Sequence, residues 1–108
     1  MSTETHILDR LYAVVAGRKG GDPEHSYTAR LFAKGRTRIA QKVGEEALET
    51  ALAAVSEGRE QVVRESADLL YHLTVLWAEV GSTPEDVWRV LEERFGTSGI
   101  EEKNARSK

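Results

Sequence analysis

Four carboxylates stand in two pairs whose spacing would let them hold a divalent cation. Glu46 and Glu49 lie three residues apart in KVGEEALE, and Glu65 and Asp68 lie three residues apart in ESADLLYHL. Residues three apart on a helix share one face, so each pair would present two carboxylates together. Carboxylate oxygens suit Mg²⁺ or Mn²⁺. The two pairs are therefore candidate metal ligands.

The second pair is placed in the most apolar segment of the chain, which continues as TVLWAEV. On a helical wheel, Glu65, Asp68 and His72 form a narrow polar wedge on a helix that is otherwise apolar nearly all round. Such a helix must be buried on most sides, which favours a homodimer that includes it in its interface. We interpret His72 as a buried, hydrogen-bonded core histidine rather than as a ligand or a base.

The register between the two pairs decides whether they meet. The midpoint of Glu46 and Glu49 and the midpoint of Glu65 and Asp68 are equally far from position 57, which lies in the predicted turn EGRE. In an antiparallel hairpin both pairs would lie at one height, about 14 Å from the turn. Four converging carboxylates repel one another, so the site would either take up protons or bind a divalent cation.

The elements that must position these residues are helices. The hydrophobic periodicity predicts helices over about residues 5–16, 27–34, 37–56 and 60–80, and from 84 to near 95. Ser26 and Thr83 are predicted N-caps, and Gly81 is predicted to end the fourth helix. Sustained period-2 alternation is absent from the sequence. We therefore predict an all-α bundle of four to five helices, dimeric and built on a central antiparallel helix hairpin.

Basic residues precede the first carboxylate pair and could hold a polyphosphate beside the metal. Mg²⁺ usually completes its coordination with waters and substrate phosphates. Lys42 lies one turn before Glu46, and further cations stand upstream. These are Arg18, Lys19, Arg30, Lys34, Arg36 and Arg38.

Composition narrows the class of protein. The chain has 108 residues and a net charge of −3, so we expect one domain and no nucleic-acid partner. It has no cysteine, which excludes disulfides and thiolate metal sites. The N-terminus does not resemble a signal peptide and no apolar stretch could span a bilayer, so we expect a cytoplasmic protein without membrane association. Residues 1–4 and 105–108 are candidates for disorder.

The combination EExxE at residues 45–49 and ExxD at residues 65–68 resembles the signature of the all-α, MazG-like nucleotide pyrophosphohydrolases. Within that superfamily the chain is most similar to the phosphoribosyl-ATP pyrophosphohydrolase family, in its stand-alone form. The segments that carry this closer resemblance are SYTARLFAKG at 26–35, KVGEEALE at 42–49, ESADLLYHL at 65–73 and SGIEEKNAR at 98–106.

The resemblance implies a dimeric enzyme that uses Mg²⁺ to hydrolyse phosphoribosyl-ATP to phosphoribosyl-AMP and pyrophosphate, the second step of histidine biosynthesis. It implies that Glu45 and Glu46 are catalytic, with Glu45 orienting or deprotonating the attacking water. The other implied roles follow by position. Magnesium ligands would be Glu46, Glu49, Glu65 and Asp68, and substrate-binding residues would be Lys42, Tyr27, Arg30, Lys34, Lys103 and Arg106, with Ser26 in the same segment as Tyr27.

Two other functions are compatible with the sequence. A house-cleaning pyrophosphatase acting on canonical or damaged dNTPs would use the same carboxylates, and would differ in the SYTARL, basic and C-terminal segments. A helical dimer that only binds a partner would carry the acidic stripe as a solvated face. The hydrolysis of a substrate panel and the response of thermal melting to Mg²⁺ distinguish these alternatives.

Overall fold

The computed structural model describes residues 6–95, which form five helices with no strand among them. The helices are α1 (Ile7–Gly17), α2 (Tyr27–Lys34), α3 (Arg36–Ser56), α4 (Arg59–Val80) and α5 (Pro84–Glu93). The predicted all-α class is confirmed. The predictions for residues 1–4 and 105–108 lie outside the described residues, and the single domain and the dimer stay predictions.

Local capping chemistry explains three of the helix boundaries. The side chain of Ser26 accepts a hydrogen bond from the backbone N–H of Ala29, so it caps α2 as predicted. Thr83 and Asp86 form a reciprocal capping box at the start of α5. Gly81 ends α4 with a φ of 84°, a left-handed conformation that glycine adopts without a steric penalty.

Helices α3 and α4 form the central antiparallel hairpin and are the most extensively packed pair of helices. The link between them is shorter than the predicted four-residue turn, because α3 ends at Ser56 and α4 begins at Arg59. α1 and α2 pack against this hairpin, and α5 packs on α1. Five buried side chains form the core: Val15, Leu31, Ile39, Val75 and Ala78.

Within residues 6–95, no helix is both long enough and apolar enough to cross a membrane.

The acidic residues of α3 and α4 lie on the same hairpin as the core residues Ile39 and Val75. Packing of these core residues therefore holds the two helices, and the acidic residues on them, at a fixed relative height.

Candidate active site

The hairpin brings three of the four predicted carboxylates together. Glu46, Glu49 and Glu65 each offer a carboxylate oxygen, and these oxygens all lie within 4.8 Å of one another. Glu46 is buried, with 8% of its surface exposed, while Glu65 is partly buried and Glu49 is exposed. We call these three residues the acidic cluster. A buried carboxylate beside a second one at the solvent edge is an arrangement that a cation can enter and neutralise.

Asp68 lies outside this group of oxygens and is exposed. It is nevertheless close enough for its charge to act on Glu46 and raise the pKa of that residue. Asp68 is thus near Glu46, as its height on the hairpin predicts, but its carboxylate oxygens do not join the group formed by the other three.

The electrostatics of Glu46 show that the acidic cluster carries surplus negative charge. Its pKa is raised from 4.5 to about 7, first because a hydrogen bond to Glu49 requires a proton and then because Glu46 is buried. The charges of Glu49 and Asp68 raise the pKa further, while Lys42 lowers it. A bound cation would replace the shared proton, since metal-ligating carboxylates are deprotonated. The all-oxygen donor set fits Mg²⁺.

Gln61 supports the acidic cluster and is not among the site residues predicted from the sequence. Its side-chain amide donates a hydrogen bond of 2.9 Å to Oε2 of Glu65. The two residues are four apart on α4, a spacing at which side chains on one helix face can meet. This spacing is the signal that could have identified Gln61 as the residue that orients Glu65.

Glu45 lies beside the acidic cluster but is not part of it. Its carboxylate forms ion pairs with Nη1 of Arg38 and with Nζ of Lys42, each at 3.6 Å. Lys42 also lowers the pKa of Glu46, so its charge acts on both Glu45 and Glu46. Arg38, one of several cations noted in the sequence, thereby joins Lys42 as a positive charge at the site.

The predicted substrate-binding residues of α2 are in different surroundings. Tyr27 is half-exposed and stacks on Tyr71, with ring centroids 6.3 Å apart. Arg30 donates a hydrogen bond of 3.1 Å to the carbonyl oxygen of Pro23 and so binds the loop before α2. Lys34 is exposed in the last turn of α2. The predicted residues Lys103 and Arg106 lie outside the described residues.

His72 is a buried, hydrogen-bonded histidine, as predicted. Only 7% of its surface is exposed, and its Nδ1 lies 2.9 Å from the backbone carbonyl oxygen of Asp68. Its Nε2 lies 3.5 Å from the hydroxyl oxygen of Tyr27. Both ring nitrogens therefore have polar partners, which explains how α4 accommodates a polar ring in its buried part.

Two of the basic residues noted in the sequence are engaged elsewhere. Nε of Arg36 lies 3.4 Å from Oε2 of Glu79, and Nζ of Lys19 lies 3.8 Å from Oε1 of the same carboxylate. Glu79 is about 16 Å beyond Asp68 along α4. These two cations therefore neutralise a second carboxylate rather than the acidic cluster.

Comparison with known proteins gives one consistent result. The family model for phosphoribosyl-ATP pyrophosphohydrolase matches residues 8–95. A phosphoribosyl-ATP pyrophosphatase of Paramagnetospirillum magneticum is 59% identical over 108 residues, which are 100% of this chain and 99% of the relative. The protein of the same name from Rhodospirillum rubrum is 63% identical over 94% of this chain and 87% of its own length. That from Azospirillum brasilense is 62% identical over 93% and 90%.

Proposed function

Since the chain belongs to the phosphoribosyl-ATP pyrophosphohydrolase family, we propose that it hydrolyses phosphoribosyl-ATP to phosphoribosyl-AMP and pyrophosphate with the help of Mg²⁺. This reaction is the second step of histidine biosynthesis. The observation that carries the chemistry is the acidic cluster, in which three carboxylate oxygens lie within 4.8 Å of one another around a buried Glu46.

Glu46, Glu49 and Glu65 would hold the metal, and Asp68 would complete the set. Mg²⁺ is the preferred ion and Mn²⁺ has a suitable ligand chemistry. When bound, the ion supplies Lewis-acid polarisation of a phosphoryl oxygen and a coordinated water. Gln61 holds Glu65 through its amide and thereby reduces the freedom of that ligand before the ion arrives.

The chain's own residues perform the rest of the reaction. Glu45 accepts the proton of the attacking water, whose oxygen forms a bond to phosphorus. The bond to the leaving pyrophosphate breaks, and the negative charge of the phosphates is balanced by Lys42 and Arg38. These two cations form ion pairs with Glu45 in the free chain, so arriving phosphates compete for them and release the carboxylate for proton transfer.

The exposed apolar surface of the hairpin supports a homodimer. Leu48, Leu52 and Val55 of α3 are each at least half exposed, and Val63 and Leu70 of α4 are exposed as well. Apolar residues concentrated in this way on two packed helices are typical of an interface. A sedimentation coefficient that fits a stable monomer at micromolar concentration would contradict the dimer.

A cytoplasmic location is part of the proposal and agrees with the absence of cysteine.

The test of the function is a substrate panel with pyrophosphate detection. We expect Mg²⁺-dependent release of pyrophosphate from phosphoribosyl-ATP and much slower release of pyrophosphate from dUTP, dCTP and ATP. Comparable rates on the dNTPs would indicate a house-cleaning pyrophosphatase, and no release from any of them would indicate a non-enzymatic dimer.

The variant Glu46→Gln removes one charge from the cluster and should abolish the release. Glu60→Gln makes the same chemical change at an exposed position in the first turn of α4 and serves as the matched control. Full activity of Glu46→Gln would reject the assignment of the site.

A further inference from the structure

His72 connects the backbone of the metal-binding helix to an exposed tyrosine, and the reaction described above does not use it. Its ring lies edge-on to Tyr71, with centroids 4.9 Å apart, and its two nitrogens face Asp68 and Tyr27. A histidine with only a structural role also needs hydrogen-bond partners when it is buried. One partner of His72, however, is the half-exposed side chain of Tyr27 on another helix. The hydroxyl of Tyr27 therefore has His72 as its partner, while the ring of Tyr27 stacks on Tyr71.

The partners determine which atom donates each hydrogen bond. A backbone carbonyl oxygen only accepts, so Nδ1 of His72 donates to Asp68 at 2.9 Å. In the neutral ring Nε2 then has a lone pair, and the hydroxyl of Tyr27 donates to it across 3.5 Å, a long hydrogen bond in the free chain. With this tautomer of the neutral ring, the hydrogen of Tyr27 points toward His72 and its oxygen keeps its lone pairs for a ligand.

A tyrosine oxygen that can only accept hydrogen bonds favours ligands with donor groups. Phosphate oxygens are acceptors and form no hydrogen bond with it, whereas ribose hydroxyls and base amino groups can donate one. His72 is one helical turn, about 6 Å, beyond Asp68 along α4. Tyr27 therefore contacts α4 one turn beyond Asp68, the carboxylate whose charge acts on Glu46 of the acidic cluster.

We propose that His72 is a positioning residue that orients the hydroxyl of Tyr27 to accept a hydrogen bond from the nucleoside part of the substrate, and that it contributes nothing to pyrophosphate binding. The inference rests on the proposed function and deepens it, because it divides the substrate between two groups of residues. The acidic cluster with Lys42 binds the phosphates, and the pair of Tyr27 and His72 recognises the nucleoside.

Calorimetric titration of the two products, each in the presence of Mg²⁺, tests this division. We expect Tyr27→Phe and His72→Asn to weaken phosphoribosyl-AMP binding about five- to tenfold, as for one lost hydrogen bond, and to leave pyrophosphate binding unchanged. Asn keeps the donor to Asp68 but has no acceptor for Tyr27. The double variant should bind no more weakly than either single one, because the two residues act through one bond.

Two controls separate positioning from packing. His72→Gln places a carbonyl oxygen near the position of Nε2 and should restore much of the lost affinity. Tyr71→Phe removes the hydroxyl that bonds to Thr28, a second contact between α2 and α4, and should leave phosphoribosyl-AMP affinity unchanged. The melting temperature of each variant shows which of them lose stability.

Several results would overturn the inference. The inference fails if Tyr27→Phe binds phosphoribosyl-AMP with wild-type affinity. It also fails if the variants weaken the binding of phosphoribosyl-AMP and pyrophosphate equally, or if Tyr71→Phe loses as much phosphoribosyl-AMP affinity as Tyr27→Phe. Tyr27→Phe changes a half-exposed side chain, so it decides the matter if His72→Asn does not fold. Hydrolysis by the wild-type chain is measured in parallel: an inactive wild type rejects the proposed function, whereas an active wild type with unaffected variants rejects only the role of His72.

Discussion

Glu46 of α3, which is buried, and Glu79 of α4, which is partly buried, are carboxylates in different charged surroundings. Glu79 has 17% of its side chain exposed and is within 4 Å of the cationic groups of both Lys19 and Arg36. Glu46 is buried more deeply, its nearest charged neighbours are mostly carboxylates, and its pKa is raised to about 7 by Glu49 and by burial. Glu79 thus has two cationic partners, whereas the acidic cluster carries negative charge that an external cation could neutralise. This difference distinguishes a structural ion group from a candidate metal centre.

The largest expected difference between variants of the acidic cluster and variants of the Glu79 ion group is in the rate of catalysis. Glu46→Gln should lower the rate of pyrophosphate release by about 100-fold or more, because it removes one of the carboxylates proposed to bind the metal. Glu79→Gln should leave the rate within about twofold of the wild type, since its partners lie far from the cluster. Steady-state rates at saturating Mg²⁺ measure both. Equal losses in the two variants would mean that the acidic cluster and the ion group of Glu79 do not have separate roles.

Gln61→Ala gives the next largest effect. Loss of the amide that holds Glu65 should raise the Mg²⁺ concentration needed for half-maximal rate by about tenfold, with a smaller change in the maximal rate. A titration of activity against Mg²⁺ provides the measurement. An unchanged half-maximal concentration would show that Glu65 does not need this support.

The pH dependence of stability sharpens the contrast further. In the metal-free folded protein the pKa of Glu46 is raised to about 7, first by its hydrogen bond to Glu49 and then by burial, from 4.5 for an unperturbed glutamate. Between these values the folded state binds more protons than the unfolded state, so the free energy of unfolding falls as the pH rises through this window. Urea denaturation of Glu46→Gln should show a shallower fall than the wild type, and identical profiles would contradict the raised pKa.

The smallest effect is expected at Glu79. Its two ion pairs are partly exposed, so Glu79→Gln should lower the free energy of unfolding by about 1 kcal/mol or less. Urea denaturation at neutral pH, compared with an exposed control such as Glu60→Gln, detects this change. A variant more stable than the wild type would show that the ion group is retained for a reason other than stability.

The sequence predicts the fold and the main carboxylate arrangement because both follow from local rules. The caps at Ser26 and Thr83 and the stop at Gly81 are fixed by short-range backbone chemistry. The equal height of the two glutamate-containing pairs follows from the helical rise and the position of the turn.

The pairings of side chains across long sequence separations could not be predicted in the same way. Arg36 and Lys19 stand among the cations that precede the site, and their spacing alone gives no indication that they meet Glu79 on another helix. The position of Tyr27 against His72 likewise depends on how α2 docks on α4. These contacts are decided by tertiary packing and by side-chain rotamers, which periodicity does not encode.

The most direct test of the difference between the acidic cluster and the ion group of Glu79 is a titration of metal-free protein with Mn²⁺, in which electron paramagnetic resonance measures the free ion. Mn²⁺ stands in for Mg²⁺ because carboxylate oxygens suit both. We predict binding by the wild type, equal binding by Glu79→Gln and at least about tenfold weaker binding by Glu46→Gln. Undiminished binding by Glu46→Gln, or no binding by the wild type, would contradict the assignment of the acidic cluster as the metal centre.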